Sequence, residues 1–273
     1  MKKFLTDMHT HSTYSFDGRS DLKDMLARAQ EKGLDFYGVS DHFNYDYILS
    51  KFSAEEAARM KDADPKEYFH GSRHLQEDYA GVMNVIIGAE LGYSDDITVQ
   101  KKYQALINEF SPDYIINSVH GEGGTDYAGY EFTADKAQTY GQYLGLIRRS
   151  LDAPYAYDIV GHIGYIARYV PFEDRSFSGF EGQIDDILET IVKKDKILEI
   201  NSATKKLLQR TLPAENIVRR YYELGGRKVS FGSDAHDVLR IAEKREEIVE
   251  MLKGIGFTYI TVPCRGEHIK VEI

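Results

Sequence analysis

The sequence predicts an α/β fold, a distorted barrel of seven strand–helix units, on three observations. Seven short segments rich in β-branched, aromatic or aliphatic residues alternate with longer helical patterns. Side chains of the metal-binding type stand at the C-terminal ends of nearly all seven. No linker, repeat or low-complexity stretch divides the 273 residues, so a single domain over 1–273 is expected. Repeated alternation implies a parallel sheet, and ligands contributed from the first strand to the last imply that it closes. An open doubly wound sheet would gather them at one switch point. The expected architecture is therefore a TIM-like (β/α)7 barrel with its site at the C-terminal end of the strands.

The first strand is expected at Phe4–His9, followed by a helix at Ser20–Lys32 that opens on Ser20 and closes on Gly33. Strand two spans Phe36–Ser40. The long, charged and aromatic stretch from about residue 44 to 74 is expected to be a loop over the barrel mouth. Strand three is Val85–Glu90, and Thr98 begins a helix that ends at Phe110. Tyr114–Val119, then the helix Ala134–Ser150, then Ile159–His162 and the helix Ile184–Lys194 continue the cycle. Ile197–Asn201 leads to a helix over Pro213–Leu224, where Pro213 suits a first turn and Gly225 a stop. Val229–Ser233 is the seventh strand, followed by a helix at Ile241–Lys253 closing on Gly254. Residues 256–263 read as a terminal strand outside the cycle.

Composition narrows the function. The formal charge of −10, from 34 basic and 44 acidic residues, argues against nucleic acid as the main partner. It leaves room for a small phosphate, because bound metals invert the local field. Cys264 is the single cysteine, which removes any intrachain disulfide and any thiolate zinc site. The start, Met1-Lys2-Lys3-Phe4-Leu5, lacks the apolar core and cleavage site of a signal peptide, and no apolar run reaches membrane-spanning length. A cytoplasmic protein with no membrane partner and no obligate protein partner is expected.

The metal-type residues lie in Thr6-Asp7-Met8-His9-Thr10-His11 with Asp17 following, then Ser40-Asp41-His42, Gly88-Ala89-Glu90, Ser118-Val119-His120, Gly161-His162 and Ser233-Asp234-Ala235-His236. Strand side chains alternate faces, so Asp7, His9 and His11 share one side, as do Asp234 and His236. Imidazole and carboxylate without thiolate suit zinc, iron or manganese. Any one of these histidines could be a hydrogen-bonded core residue, but so many at strand ends point to a multinuclear metal site. His70, His74 and His268 stand away from strand ends and read as surface residues.

This order of residues, from Asp7 to His236, resembles the PHP (polymerase and histidinol phosphatase) family of metal-dependent phosphoesterases. The segments Ser118-Val119-His120, Asp158-Ile159-Val160-Gly161-His162 and Glu199-Ile200-Asn201-Ser202-Ala203 look like the family's histidinol-phosphate phosphatases. By position, the resemblance implies three divalent ions. One is held by His9, His11, Glu90 and Asp234, a second by Glu90, His120 and His162, and a third by Asp17, His42 and His236. Set against three carboxylates and one bridging hydroxide, those ions leave two positive charges, which match a phosphate monoester dianion.

The implied reaction is hydrolysis of L-histidinol phosphate to L-histidinol and phosphate, in L-histidine biosynthesis, by the metal-bridging hydroxide. Asp17 or His42 is expected to protonate the leaving group, and Arg168, on the loop after strand five, to clamp the phosphate. Where relatives often carry a second arginine, this chain reads Thr204-Lys205-Lys206. Lysine lacks the bidentate fork, so Lys206 or Arg210 is expected to substitute, and Asn201 to hydrogen-bond substrate. Asp7, Asp41 and Glu199 are expected to orient neighbouring ligands. Glu122, Asp46 and the aromatics of 43–47 are candidate contacts for the amine and imidazole. The alternatives are a PHP phosphoesterase for nucleotide or sugar phosphates, a PHP nuclease, which the acidic balance opposes, and a non-catalytic metal-binding protein.

Overall fold

A computed structural model describes residues 5–47, 55, 57, 63–133, 135–205, 207 and 209–273. The strands in chain order are β1 (Thr6–Asp7), β2 (Phe36–Val39), β3 (His42–Phe43), β4 (Asn84–Ile87), β5 (Ala89–Gly92), β6 (Ile115–Ser118), β7 (Gly121–Glu122), β8 (Thr125–Asp126), β9 (Ile159–Val160), β10 (Ile197–Asn201), β11 (Val229–Gly232), β12 (Tyr259–Cys264) and β13 (Glu267–Glu272). The helices are α1 (Leu22–Glu31), α2 (Pro65–Asp78), α3 (Ile97–Phe110), α4 (Lys136–Ser150), α5 (Glu181–Lys193), α6 (Glu215–Glu223) and α7 (Arg245–Ile255).

Two parallel sheets share the work of the barrel. One runs β1-β2-β4 and the other β11-β10-β9-β6-β5-β3. They are joined because β2 leads into β3 and β4 leads into β5, so each of those two chains serves both sheets. The expected strand Val85–Glu90 is thus interrupted at Gly88. Position 88 has room only for glycine: a Cβ there would sit 2.3 Å from the Tyr114 ring, which fills the barrel interior and donates its hydroxyl to the Met8 carbonyl at 2.8 Å. The seam between first and last strands is stitched rather than laddered. Met8 N donates to Phe231 O at 2.9 Å, Asp234 N to His9 O at 2.8 Å, and His11 N to Ala235 O at 2.8 Å.

Below the site, the barrel interior is apolar. Met8, Ile86, Tyr114, Ile116, Ile159 and Ile197 form one buried cluster with Val262 and Val271 of the β12–β13 hairpin. The hairpin therefore closes the bottom, so the terminal strand expected outside the cycle is half of a two-stranded plug. A larger core lies between the strands and the surrounding helices, as expected when each amphipathic helix buries one stripe.

Several expectations are corrected. The stretch drawn as a loop over the mouth contains α2, capped by Asp64, whose carboxylate accepts from Lys66 N and Glu67 N, with Pro65 in the first turn. Most of residues 48–62 lie outside the described residues, as do Phe4 and Ala134, the expected starts of a strand and a helix. Asp96, not Thr98, caps α3: its carboxylate accepts from Thr98 N. Asp21, next to the expected Ser20, caps α1. Pro213 precedes α6 rather than opening it, and Ala214 takes the N-cap position. Gly254 lies inside α7, and Gly256, at φ 124°, ends it. His268 is half-buried, with Lys228 Nζ 2.8 Å from its Nδ1, whereas His70 and His74 are exposed on α2. No described helix is long and apolar enough to cross a membrane.

Asp113, just before β6, ties three of these pieces together. Its carboxylate accepts from Ile87 N of β4 at 2.9 Å, from Arg73 of α2, and from Arg265 Nε of the hairpin turn at 2.7 Å. Burial disfavours its charge, but the two guanidiniums and the backbone N–H outweigh that and hold its carboxyl below the usual carboxylate range. A lowered folded-state pKa contributes stability that is present above about pH 4, the unfolded value, and is lost as pH falls through the folded one. Asp113→Asn is expected to cost about 2 kcal/mol near neutral pH, in line with charge-assisted hydrogen bonds of which one partner is exposed. Urea denaturation of both proteins checks this. The gap in stability should shrink as pH falls below about 4, and a gap independent of pH would show that the charge does not matter.

Candidate metal centre

Glu90 stands at the centre of the site, fully buried on β5. Its Oε1 lies 3.0 Å from His120 Nε2 and 2.9 Å from His162 Nε2, and accepts from Ser118 Oγ at 2.5 Å. Its Oε2 lies 3.2 Å from His9 Nε2, 3.5 Å from His11 Nε2 and 2.9 Å from His42 Nδ1. One carboxylate thus divides five imidazoles, two on one oxygen and three on the other. Asp234 Oδ1 is 3.4 Å from His11 Nε2 and 3.6 Å from His236 Nδ1. Asp17 reaches from the loop after β1 to His236 Nε2 at 3.0 Å and His42 Nε2 at 3.7 Å. All nine expected ligands form one contiguous cluster.

The local backbone explains the crowding. Alternation along the strands sends His9, Glu90 and Glu199 into the barrel. A Cβ on Gly232 would lie 2.3 Å from Glu199 Oε1 and 2.6 Å from the His9 Cβ, so only glycine lets β11 pass there. Asp234 adopts φ 53°, a left-handed conformation that costs a non-glycine residue about 1 kcal/mol. That turn brings both Asp234 and His236 to the cluster. Glu199 holds two histidines at once: its Oε1 is 2.5 Å from His9 Nδ1, and its Oε2 accepts from His162 N at 2.6 Å.

The charges are interdependent. Burial works against a charged His9 ring, but Glu199 and Glu90 outweigh it and raise its pKa well above the ordinary value. His42 is pushed up to about 9 because Glu90 and Asp17 overcome the same burial penalty. His236 rises beside Asp17 and Asp234, again against burial. His11 and His120 go the other way, since burial and neighbouring histidines both disfavour their charge. Despite burial, the surrounding imidazoles hold Glu90, Asp234 and Asp17 well below the usual carboxylate range.

The donor set fits divalent metal ions. Glu90 Oε2, His42 Nδ1 and His236 Nε2 are buried and make no hydrogen bond among the described residues, although each lies within ion-pair distance of a partner. His9 Nε2 and His11 Nε2 face each other at 2.9 Å, and His120 Nε2 and His162 Nε2 at 3.3 Å. Nitrogens brought that close, with carboxylate oxygens beside them, suit a shared cation better than a chain of hydrogen bonds. Three groups have ligand atoms within 4.8 Å of one another: His9, His11 and Glu90; His42, Glu90 and His120; and His11, His42 and His236. Imidazole nitrogen with carboxylate oxygen is the donor chemistry of zinc, iron and manganese.

The family model for the PHP domain matches residues 7–203. The chain belongs to the PHP family. It is 28% identical over 258 residues to the probable histidinol-phosphatase of Thermotoga maritima, covering 94% of this chain and 95% of that one. It is 26% identical over 262 residues to the histidinol-phosphatase of Lactococcus lactis, covering 94% and 93%. The crystal structure of the histidinol phosphate phosphatase from Lactococcus lactis, complexed with zinc, L-histidinol and phosphate, superimposes with a TM-score of 0.80 at 24% identity, covering 97% of this chain and 99% of that one. That likeness is one of fold.

The PHP cluster floors a cavity of about 380 Å3, within the usual size range for small-molecule sites. Arg168 lines it as expected, its guanidinium buried between the Ala203 carbonyl and Asp234 Oδ2 and stacked 4.8 Å from the Tyr165 ring centroid. Arg210 does not line it: the side chain is exposed and lies 3.4 Å from Glu247. Lys206 lies outside the described residues. Among the described residues the lysine lining the cavity is Lys205, whose left-handed backbone at φ 52° turns it to the Tyr169 hydroxyl at 2.7 Å.

Asn201 is fully buried, donating to Glu199 Oε1 at 3.1 Å and accepting from Ala203 N at 2.8 Å, so it supports Glu199 and does not line the cavity. Asp41 orients no ligand ring directly. It accepts from the backbone and hydroxyls of Ser12 and Ser15, fixing the loop that carries Asp17. Asp7 likewise accepts from Ser233 N and Ala242 N, and burial pushes its carboxyl up to about 6. Of the candidate substrate contacts, Tyr47 lines the cavity, whereas Asp46 and Glu122 line a separate depression beside it. Sequence reading missed Lys205, Tyr165 and Asp126 in the wall. Tyr165 was within reach of it, lying three residues beyond His162 on the same loop as Arg168.

Proposed function

We propose that this PHP protein is a metal-dependent phosphomonoesterase that hydrolyses L-histidinol phosphate to L-histidinol and phosphate in L-histidine biosynthesis. The observation that carries the reading is a nine-residue imidazole–carboxylate cluster opening onto a small cavity with a buried guanidinium in its wall. The two histidinol-phosphatase relatives, each matched over nearly its whole length, and the fold shared with a zinc-, histidinol- and phosphate-bound phosphatase support the choice of substrate. The reading treats residues 1–273 as one domain, because β11, Asp234 and His236 lie beyond the matched segment yet complete the same ring and site.

The proposed ligand set is His9, His11, Asp17, His42, Glu90, His120, His162, Asp234 and His236, holding three ions with Glu90 shared between two. Bound divalent ions would supply an activated water and neutralise charge on the phosphoryl group. The chain's own residues do the rest. Arg168 Nε is buried and has no hydrogen-bond partner among the described residues, which leaves a donor for a phosphate oxygen. Lys205 adds a second, exposed cation at the rim. Asp17 is the half-exposed member of the cluster, whereas His42 is buried. We assign delivery of the proton to the leaving alkoxide to a water held by Asp17 at the cavity, since a carboxylate kept below its usual range accepts hydrogen bonds and does not keep a proton. Glu199 fixes the tautomer of His9 through Nδ1, leaving Nε2 for the metal side.

Steady-state kinetics on a panel of phosphomonoesters, run on protein whose metals have been counted, tests the reading. L-histidinol phosphate is expected to exceed nucleotide and sugar monophosphates in kcat/KM by about 100-fold or more, the discrimination available to a site built to pair with polar substrate groups. A nucleotide or sugar phosphate turned over best would replace the proposed substrate, and full activity in metal-free protein would end the mechanism.

A further inference from the structure

The cavity wall holds a carboxylate that the hydrolytic step does not use. Asp126, at the end of β8, is 8% exposed and lines the same cavity as the metal-type cluster. Its Oδ1 accepts from Ala128 N at 2.6 Å and its Oδ2 from the Tyr47 hydroxyl at 2.5 Å. The Tyr165 hydroxyl lies 3.3 and 3.4 Å from the two oxygens. Among the described residues no cationic side chain forms an ion pair with it. Capping the short turn at Tyr127–Gly129 needs one oxygen and no charge, and asparagine does it as well. A buried carboxylate satisfied only by neutral donors costs more than it returns unless something positive meets it.

The surrounding hydrogen bonds give that carboxylate a fixed relation to the phosphate end. Lys205 Nζ donates to the Tyr169 hydroxyl at 2.7 Å, Tyr169 donates to the Tyr165 hydroxyl at 3.3 Å, and Tyr165 donates on to Asp126. The Tyr165 ring also packs 5.3 Å from His120 and 5.1 Å from His162, centroid to centroid. One rack of tyrosines therefore separates a cation at one end from an anion at the other, alongside the cluster. A substrate that matches it carries a phosphate and, a few bonds away, an ammonium group, with aromatic faces on either side of the cation.

We infer that Asp126, held by Tyr47 and Tyr165, receives the ammonium group of the substrate and sets specificity for amine-bearing phosphate monoesters. This rests on the reading of the protein as a histidinol-phosphate phosphatase. Asp126→Asn keeps the cap and the volume while removing the charge, and Asp126→Glu restores the charge. The comparison is between L-histidinol phosphate and its deamino analogue, imidazolylpropyl phosphate.

In the unaltered protein, kcat/KM should favour the amine-bearing ester. In Asp126→Asn the ratio of the two should fall at least about 30-fold, through KM rather than kcat, as when one partner of a buried charge pair is removed. Asp126→Glu should recover part of the ratio. An unchanged ratio, however far both activities drop, would mean a structural role and overturn the inference. Should the variants fail to fold, inhibition of the unaltered protein decides: L-histidinol should bind at least about 10-fold more tightly than its deamino analogue, and equal binding overturns the inference. If neither imidazole ester is turned over while other monoesters are, it is the functional reading that fails.

Discussion

Glu90→Gln is expected to strip the protein of most of its metal and to lower kcat/KM at least about 1000-fold, the effect of losing roughly 4 kcal/mol of transition-state stabilisation. The side chain keeps its size, so the fold should survive. What it loses is decisive. The carboxylate places two anionic oxygens within 3.5 Å of five imidazole nitrogens, three on one oxygen and two on the other. The amide offers one neutral oxygen and an NH2 that points two hydrogens at ring nitrogens required for metal. No other described side chain divides the cluster this way: Asp234 serves the His11 and His236 side, and Asp17 the His236 and His42 side. Metal content by elemental analysis, with circular dichroism as the control for folding, checks the prediction. Full metal occupancy together with full activity in Glu90→Gln would remove Glu90 from the centre of the site.

Residues at strand ends were legible in the sequence for a physical reason. An apolar strand that ends in His, Asp or Glu must place that side chain at the barrel mouth, and the period of two decides which neighbours share a face. His9 with His11, and Asp234 with His236, could be paired before any coordinates. The supporting residues were only partly legible. Glu199 and Asn201 both point inward on β10, yet only the structure shows that Asn201 spends its amide on Glu199 and on the Ala203 backbone. Two adjacent lysines in a loop carry no periodicity, so the position of Lys205 in the cavity wall follows only from the left-handed turn at 205. Helix α2 stayed hidden because few apolar residues mark its inner face, with Tyr68 and Phe69 carrying most of the burial. The rack of Tyr47, Asp126 and Tyr165 draws on three separate segments of the chain, and nothing local in any of them announces the other two.

Removing the metal with a chelator is expected to abolish phosphatase activity and to lower the melting temperature by about 10 °C, with both restored by adding back zinc, manganese or iron(II). The size follows from linkage: ions present at about 1000 times their dissociation constant stabilise by about 4 kcal/mol, and a chain of this length shifts roughly 2–4 °C per kcal/mol. The direction follows from the site. Without cations, Glu90 and Asp234 remain buried among imidazoles whose nitrogens approach each other to 2.9 and 3.3 Å. Protons can relieve part of that crowding, and the high pKa of His42 shows one place where they would sit. A proton, however, bridges two atoms, whereas a divalent ion gathers four or more, which suits Glu90 Oε2 with three imidazole nitrogens within 3.5 Å of it. The ion that restores the most activity per equivalent bound identifies the working metal, which donor chemistry alone leaves open among the three. A melting temperature unmoved by chelation, with the ions shown to be gone, would mean that the histidines hold one another in place unaided.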